Sequence, residues 1–79
     1  MKGKGGKMGT AKEGLLSNYD YLLDTAKICL AIKMPDGSTE LIINQNAKSK
    51  IDYIRNAYDD DLKLKNNGDI QIVSYMFYE

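Results

Sequence analysis

Apolar residues along this chain change their spacing from segment to segment, and each spacing predicts an element. Leu15, Leu16, Tyr19, Leu22, Leu23 and Ala26 recur at helical intervals and form one apolar face. From Lys27 the period becomes two. Ile28, Leu30, Ile32 and Met34 share one face, and Lys27, Cys29, Ala31 and Lys33 share the other. Pro35-Asp36-Gly37-Ser38 predicts a turn, because Pro presets φ and Gly accepts a positive one. Thr39 to Asn44 is strand-like again, so the two runs predict a β-hairpin. Residues 46–61 return to helical spacing, with Ala47, Ile51, Ile54 and Tyr58 on one face and Leu62 able to extend it. Asn66-Asn67-Gly68-Asp69 predicts a turn, and Ile70 to Tyr78 a third strand. Strict alternation in that strand points Ile70, Ile72, Ser74, Met76 and Tyr78 one way and Gln71, Val73, Tyr75 and Phe77 the other.

The helix starts carry their own signals. Thr10-Ala11-Lys12-Glu13 fits a capping box, and Ser17-Asn18-Tyr19-Asp20 offers a second, later cap. Asn44 or Asn46 can cap the second helix. The expected fold is α+β in the order α-β-β-α-β: a three-stranded, mainly antiparallel sheet with helices packed on one face. Residues 10–79 read as a single domain. Residues 1–9, MKGKGGKMG, have no apolar periodicity and read as a disordered basic tail.

Composition narrows the functions open to the chain. Its 79 residues leave room for one core but little for a deep substrate cavity. There is no His, which removes the commonest general base and metal ligand and every Ser-His or Cys-His nucleophile pair. The single Cys29 forms neither an internal disulfide nor a CxxC pair, and in mid-strand it reads as a small buried hydrophobe. No enzyme, metal site or cofactor is expected. No apolar run approaches the roughly 20 residues of a membrane helix, and the tail lacks the apolar stretch of a signal peptide. The expected setting is cytoplasmic.

Charge adds an asymmetry to the zero total. Residues 1–12 hold four lysines and no acid, a balance of +4, whereas residues 13–79 hold seven Lys/Arg against eleven Asp/Glu, a balance of −4. Two surfaces follow as candidates for partner contact. One is Asp59-Asp60-Asp61, three acids that would oppose the dipole of a helix end and could steer association with a basic surface. The other is the aromatic last strand, where Tyr75 and Tyr78 are candidate anchors. A separate reading gives Lys2, Lys4 and Lys7 weak, salt-sensitive contacts to nucleic acid. A homodimer covering the open sheet face or pairing the last strand is a further alternative.

The element order, the Asp36-Gly37 hairpin turn and the acids after the second helix resemble small phage-encoded proteins, in particular the compact acidic anti-CRISPR proteins that inhibit Cas9. That resemblance spans residues 15–78 and implies occupation of a partner's basic nucleic-acid site by carboxylates. The expectation is a non-enzymatic binding or inhibitor protein from a phage or mobile element, acting in the host cytoplasm.

Overall fold

In the computed structural model, which describes residues 9–79, Thr10 caps a short helix α1, Ala11–Leu16. Both halves of the capping box form: the Glu13 N–H donates to Thr10 Oγ1 (3.2 Å) and the Thr10 N–H to Glu13 Oε1 (2.9 Å). The helical spacing continues to Ala26, but the helix stops ten residues earlier. Ser17 Oγ donates to the Gly14 carbonyl (2.8 Å), and Asn18 Nδ2 donates to the carbonyls of Gly14 (3.1 Å) and Leu15 (3.2 Å). These side chains occupy acceptors that a further turn would need, so they end the first helix and do not start a second. A single 3₁₀ turn follows at Tyr19–Tyr21. Leu15 and Ala26 are buried as expected, whereas Leu23 is 63% exposed.

The hairpin forms as predicted, from β1 (Lys27–Lys33) and a longer β2 (Thr39–Asn46). Gly37 takes φ +88°, and the Asp36 carboxylate accepts from the Ser38 N–H (2.9 Å) and hydroxyl (2.6 Å). Asn46 then caps helix α2, Ala47–Ala57, by accepting from the Ser49 N–H at 2.9 Å. This helix ends four residues short of the expected boundary at residue 61. Strand β3 (Lys63–Leu64) pairs with β4 (Asn67–Tyr78), and their turn is Lys65–Asn66. The turn expected at Asn66 to Asp69 is therefore mostly strand. The sheet has four strands where three were expected, in the order β2-β1-β4-β3, with every neighbour antiparallel.

One core holds these elements together. Leu15 of α1 and Ala47, Ile51 and Ile54 of α2 pack with Ile28, Leu30, Ile32 and Ile72 of the sheet, all buried. Burying each of the larger side chains contributes about 1.5–3 kcal/mol. The helices cover the sheet face that these strand residues share. The other face stays open and carries Cys29, Ala31, Leu41, Ile43 and Met76. Cys29 is accordingly half-buried, not enclosed as its apolar neighbours suggested.

Candidate functional site

The acidic run lies in a turn past α2, not on the helix end. Tyr58 leaves the helix in an extended conformation (φ −117°, ψ 149°). Asp59 then folds the chain back on itself. Its Oδ1 accepts from the N–H groups of Asp61 and Lys63 at 2.9 Å each, and its own N–H donates to the Lys63 carbonyl at 2.8 Å. Leu62 completes the turn at φ +63°, a left-handed conformation that costs a leucine roughly 1–2 kcal/mol. Its side chain is buried, which offsets that cost. Lys12 ties the turn to α1: its N–H donates to the Asp60 carbonyl (3.0 Å) and its Nζ to the Tyr58 carbonyl (2.8 Å). Asp59 is thus half-buried and engaged, whereas Asp60 and Asp61 are exposed. Among the described residues, neither Asp60 nor Asp61 forms an ion pair.

The last strand does not alternate strictly. Ile32 lies opposite Ile72 but Ala31 lies opposite Ser74, so Val73 is an extra residue, a β-bulge. One inserted residue exchanges the two faces of everything after it. Tyr75 and Phe77, opposite Leu30 and Ile28, join Ile70 and Ile72 on the helix-covered face, while Ser74, Met76 and Tyr78 join Gln71 on the open face. The two expected sets are each split at the bulge. Tyr75 is 36% exposed and packs edge-to-face on Phe77, with ring centroids 5.7 Å apart. Tyr78 reaches across β1 to a second bulge, at Asn44 of β2, which takes φ +60°. Its hydroxyl donates to Asn44 Oδ1 (2.6 Å) and accepts from the Asn44 N–H (2.9 Å). That phenol braces the sheet and is not a free anchor.

The short β3 leaves part of β4 without a neighbour. On the side away from β1, β4 pairs with β3 from Asn67 to Gln71, and the Ile72 N–H donates to the Leu62 carbonyl at 2.9 Å. Beyond Ile72, none of the described residues pairs with this edge. The acidic turn sits where the edge begins, because Gln71 Nε2 also donates to the Asp61 carbonyl at 3.0 Å. The structure therefore brings Asp60, Asp61 and the start of the free β4 edge together. Tyr75 lies farther along that edge, and Tyr78 is committed to Asn44. Lys2, Lys4 and Lys7 lie outside the described residues.

Two depressions lie among the described residues. A shallow apolar one of about 260 Å³ on the open face is lined by Cys29, Ala31, Leu41, Ile43 and Met76, among others. An open polar cleft of about 460 Å³ lies between the hairpin turns, where Lys33 and Lys63 are balanced by Asp36 and Asp69. Among the described residues no three His, Cys, Asp or Glu side chains converge as a metal site. Hydrogen bonds from the Ser38 hydroxyl and N–H hold the Asp36 carboxyl below its usual 3.8, and burial raises the Tyr58 phenol above its usual 10.0. Both shifts belong to local structure. No helix of the described residues is long and apolar enough to cross a membrane. Comparison with protein-family models, curated proteins and solved structures finds no match to this chain.

The dual nature of the Asp run escaped the sequence reading. Asp59 followed by Asp61 fits an acid accepting from the N–H two residues on, and that local pattern was the available signal. The free edge had no such signal, since it depends on how short β3 is.

Proposed function

We propose that this chain is a non-enzymatic binding protein that masks a basic surface on a protein partner. The observation that carries the reading is the pair of exposed carboxylates of Asp60 and Asp61, which form no ion pair among the described residues and are held on a braced turn beside an uncharged strand edge. Fixed acids next to apolar contact area suit steered association followed by close packing. Val73 (52% exposed), Tyr75 and Met76 (59%) supply that area. The resemblance of the Asp36-Gly37 hairpin turn and the acids after the second helix to compact acidic Cas9 inhibitors is the reason for taking a partner's nucleic-acid site as the kind of surface masked.

The test separates charge from folding. Asp60→Asn with Asp61→Asn removes both exposed charges and leaves Asp59 to hold the turn. With a partner captured by the full chain and then purified, the double variant should associate about three- to tenfold more slowly at low salt, with a flatter salt dependence. Equal rates at every ionic strength would refute the electrostatic role. Binding of the full chain to a DNA or RNA fragment at low salt, in the absence of any protein partner, would instead favour nucleic-acid contact through Lys2, Lys4 and Lys7.

A further inference from the structure

The free stretch of β4 carries an asymmetry that says what can lie against it. In a strand, the face a side chain points to and the direction of its backbone N–H alternate together. Ile72 is on the helix-covered face and its N–H points away from β1, to Leu62. Tyr75 and Phe77 share that face, so their N–H and C=O groups also point out of the sheet edge. Among the described residues these groups have no backbone partner. From Ile70 to Tyr78 there is no charged residue and no proline, the usual devices that blunt an edge. The opposite edge, β2, is treated differently: it carries Glu40 and the positive-φ bulge at Asn44.

Acids stand at both ends of the open stretch. Asp60 and Asp61 flank the Ile72 end, and Glu79, whose Oε1 accepts from the Thr25 hydroxyl at 3.4 Å, follows Tyr78. This charge pattern discriminates between occupants. A second copy pairing antiparallel about a two-fold axis would bring its Glu79 towards Asp60 and Asp61, like charge against like. An extended segment with an uncharged β-forming centre and a Lys or Arg at each end matches both the ladder and the acids.

Building on the binding role proposed above, we infer that the Ser74–Tyr78 edge of β4 accepts such a basic-ended strand from a partner protein as the fifth strand of the sheet. The backbone ladder through Tyr75 and Phe77 supplies the register, and the terminal acids select the ends.

Solution NMR of the full chain with three synthetic peptides tests this. The probe is Lys-Val-Thr-Val-Thr-Val-Lys, the second peptide carries Glu at both ends, and the third is the probe with every backbone amide between its end residues N-methylated, so that neither edge can pair. Saturating probe should slow amide exchange at Tyr75 and Phe77 by about tenfold or more, the Glu-ended peptide should bind about tenfold more weakly, and the N-methylated one should not bind. No response at Tyr75 and Phe77 up to millimolar probe overturns the inference. A preference for Lys ends that survives N-methylation overturns strand addition and leaves the electrostatic reading standing. Protection at Tyr75 and Phe77 with equal binding of Lys and Glu ends overturns the basic-ended occupant, and the steering role with it. A concentration-dependent dimer that protects the same amides without peptide assigns the edge to a second copy instead.

Discussion

Replacing Asp59 by Ala should separate the structural acid of the Asp run from the two that face solvent. The Asp59 carboxylate accepts two backbone hydrogen bonds, from Asp61 and Lys63, both at 2.9 Å. Truncation leaves both N–H groups near the surface, where water replaces the lost acceptor in part. The relevant scale is therefore that of losing a cap, about 0.5–2 kcal/mol, and two bonds place the loss near 1.5 kcal/mol. In a domain of this size each kcal/mol moves the midpoint by roughly 4–8 °C, so Tm should fall by about 6–12 °C. The turn also holds Leu62 in its buried left-handed conformation, so loosening it exposes apolar area at the start of β3. Thermal melting followed by circular dichroism reads the effect, with Asp60→Ala and Asp61→Ala as controls that should stay within about 0.5 kcal/mol of the parent. If Asp59→Ala melts with the controls, the turn does not depend on the carboxylate and the division of the Asp run fails.

Further outcomes follow from the other side-chain contacts. Tyr78→Phe removes both hydroxyl contacts to Asn44 and should cost about 1 kcal/mol by denaturant melt, with chemical shifts changing at Asn44 and not at the Asp turn. Thr10→Ala removes the α1 cap and should cost about 1 kcal/mol in the same assay, with amide exchange accelerating over Ala11–Leu16. Because the Asp36 carboxyl is held below its usual 3.8 by Ser38, its contribution to stability is present above pH 3.8 and is lost as pH falls through the lowered folded value. Ser38→Ala removes the hydroxyl and keeps the N–H, so it should raise the Asp36 value part of the way towards 3.8 in an NMR titration, and an unchanged titration would reject the Ser38 hydroxyl as the main cause.

Period and turn chemistry made much of this fold legible in the chain itself. Alternation over Ile28 to Met34, with Pro-Asp-Gly-Ser behind it, specified the hairpin, because only a strand puts every second residue on one face. Thr10 was one of two caps the sequence offered for the first helix and Asn46 one of two for the second, and the structure uses both, while the Ala47, Ile51, Ile54 and Tyr58 face marked the side of α2 that is buried. What the sequence determined was local: which face of an element is apolar and where its backbone ends find side-chain partners. The end of α1 is local too, although the period hides it: Ser17 and Asn18 interrupt the helical spacing from Leu15 to Ala26 by taking the carbonyls of the preceding turn. Tertiary structure decided the rest. The single extra residue at Val73 exchanges the faces of Ser74 to Tyr78, and no period in the sequence marks it, because the inserted residue is itself apolar. The candidate site depends on that bulge and on the shortness of β3, which ends beside Asp60 and Asp61 and leaves the β4 edge bare. Pairing between strands distant in sequence sets both, so they emerge only when the sheet is assembled.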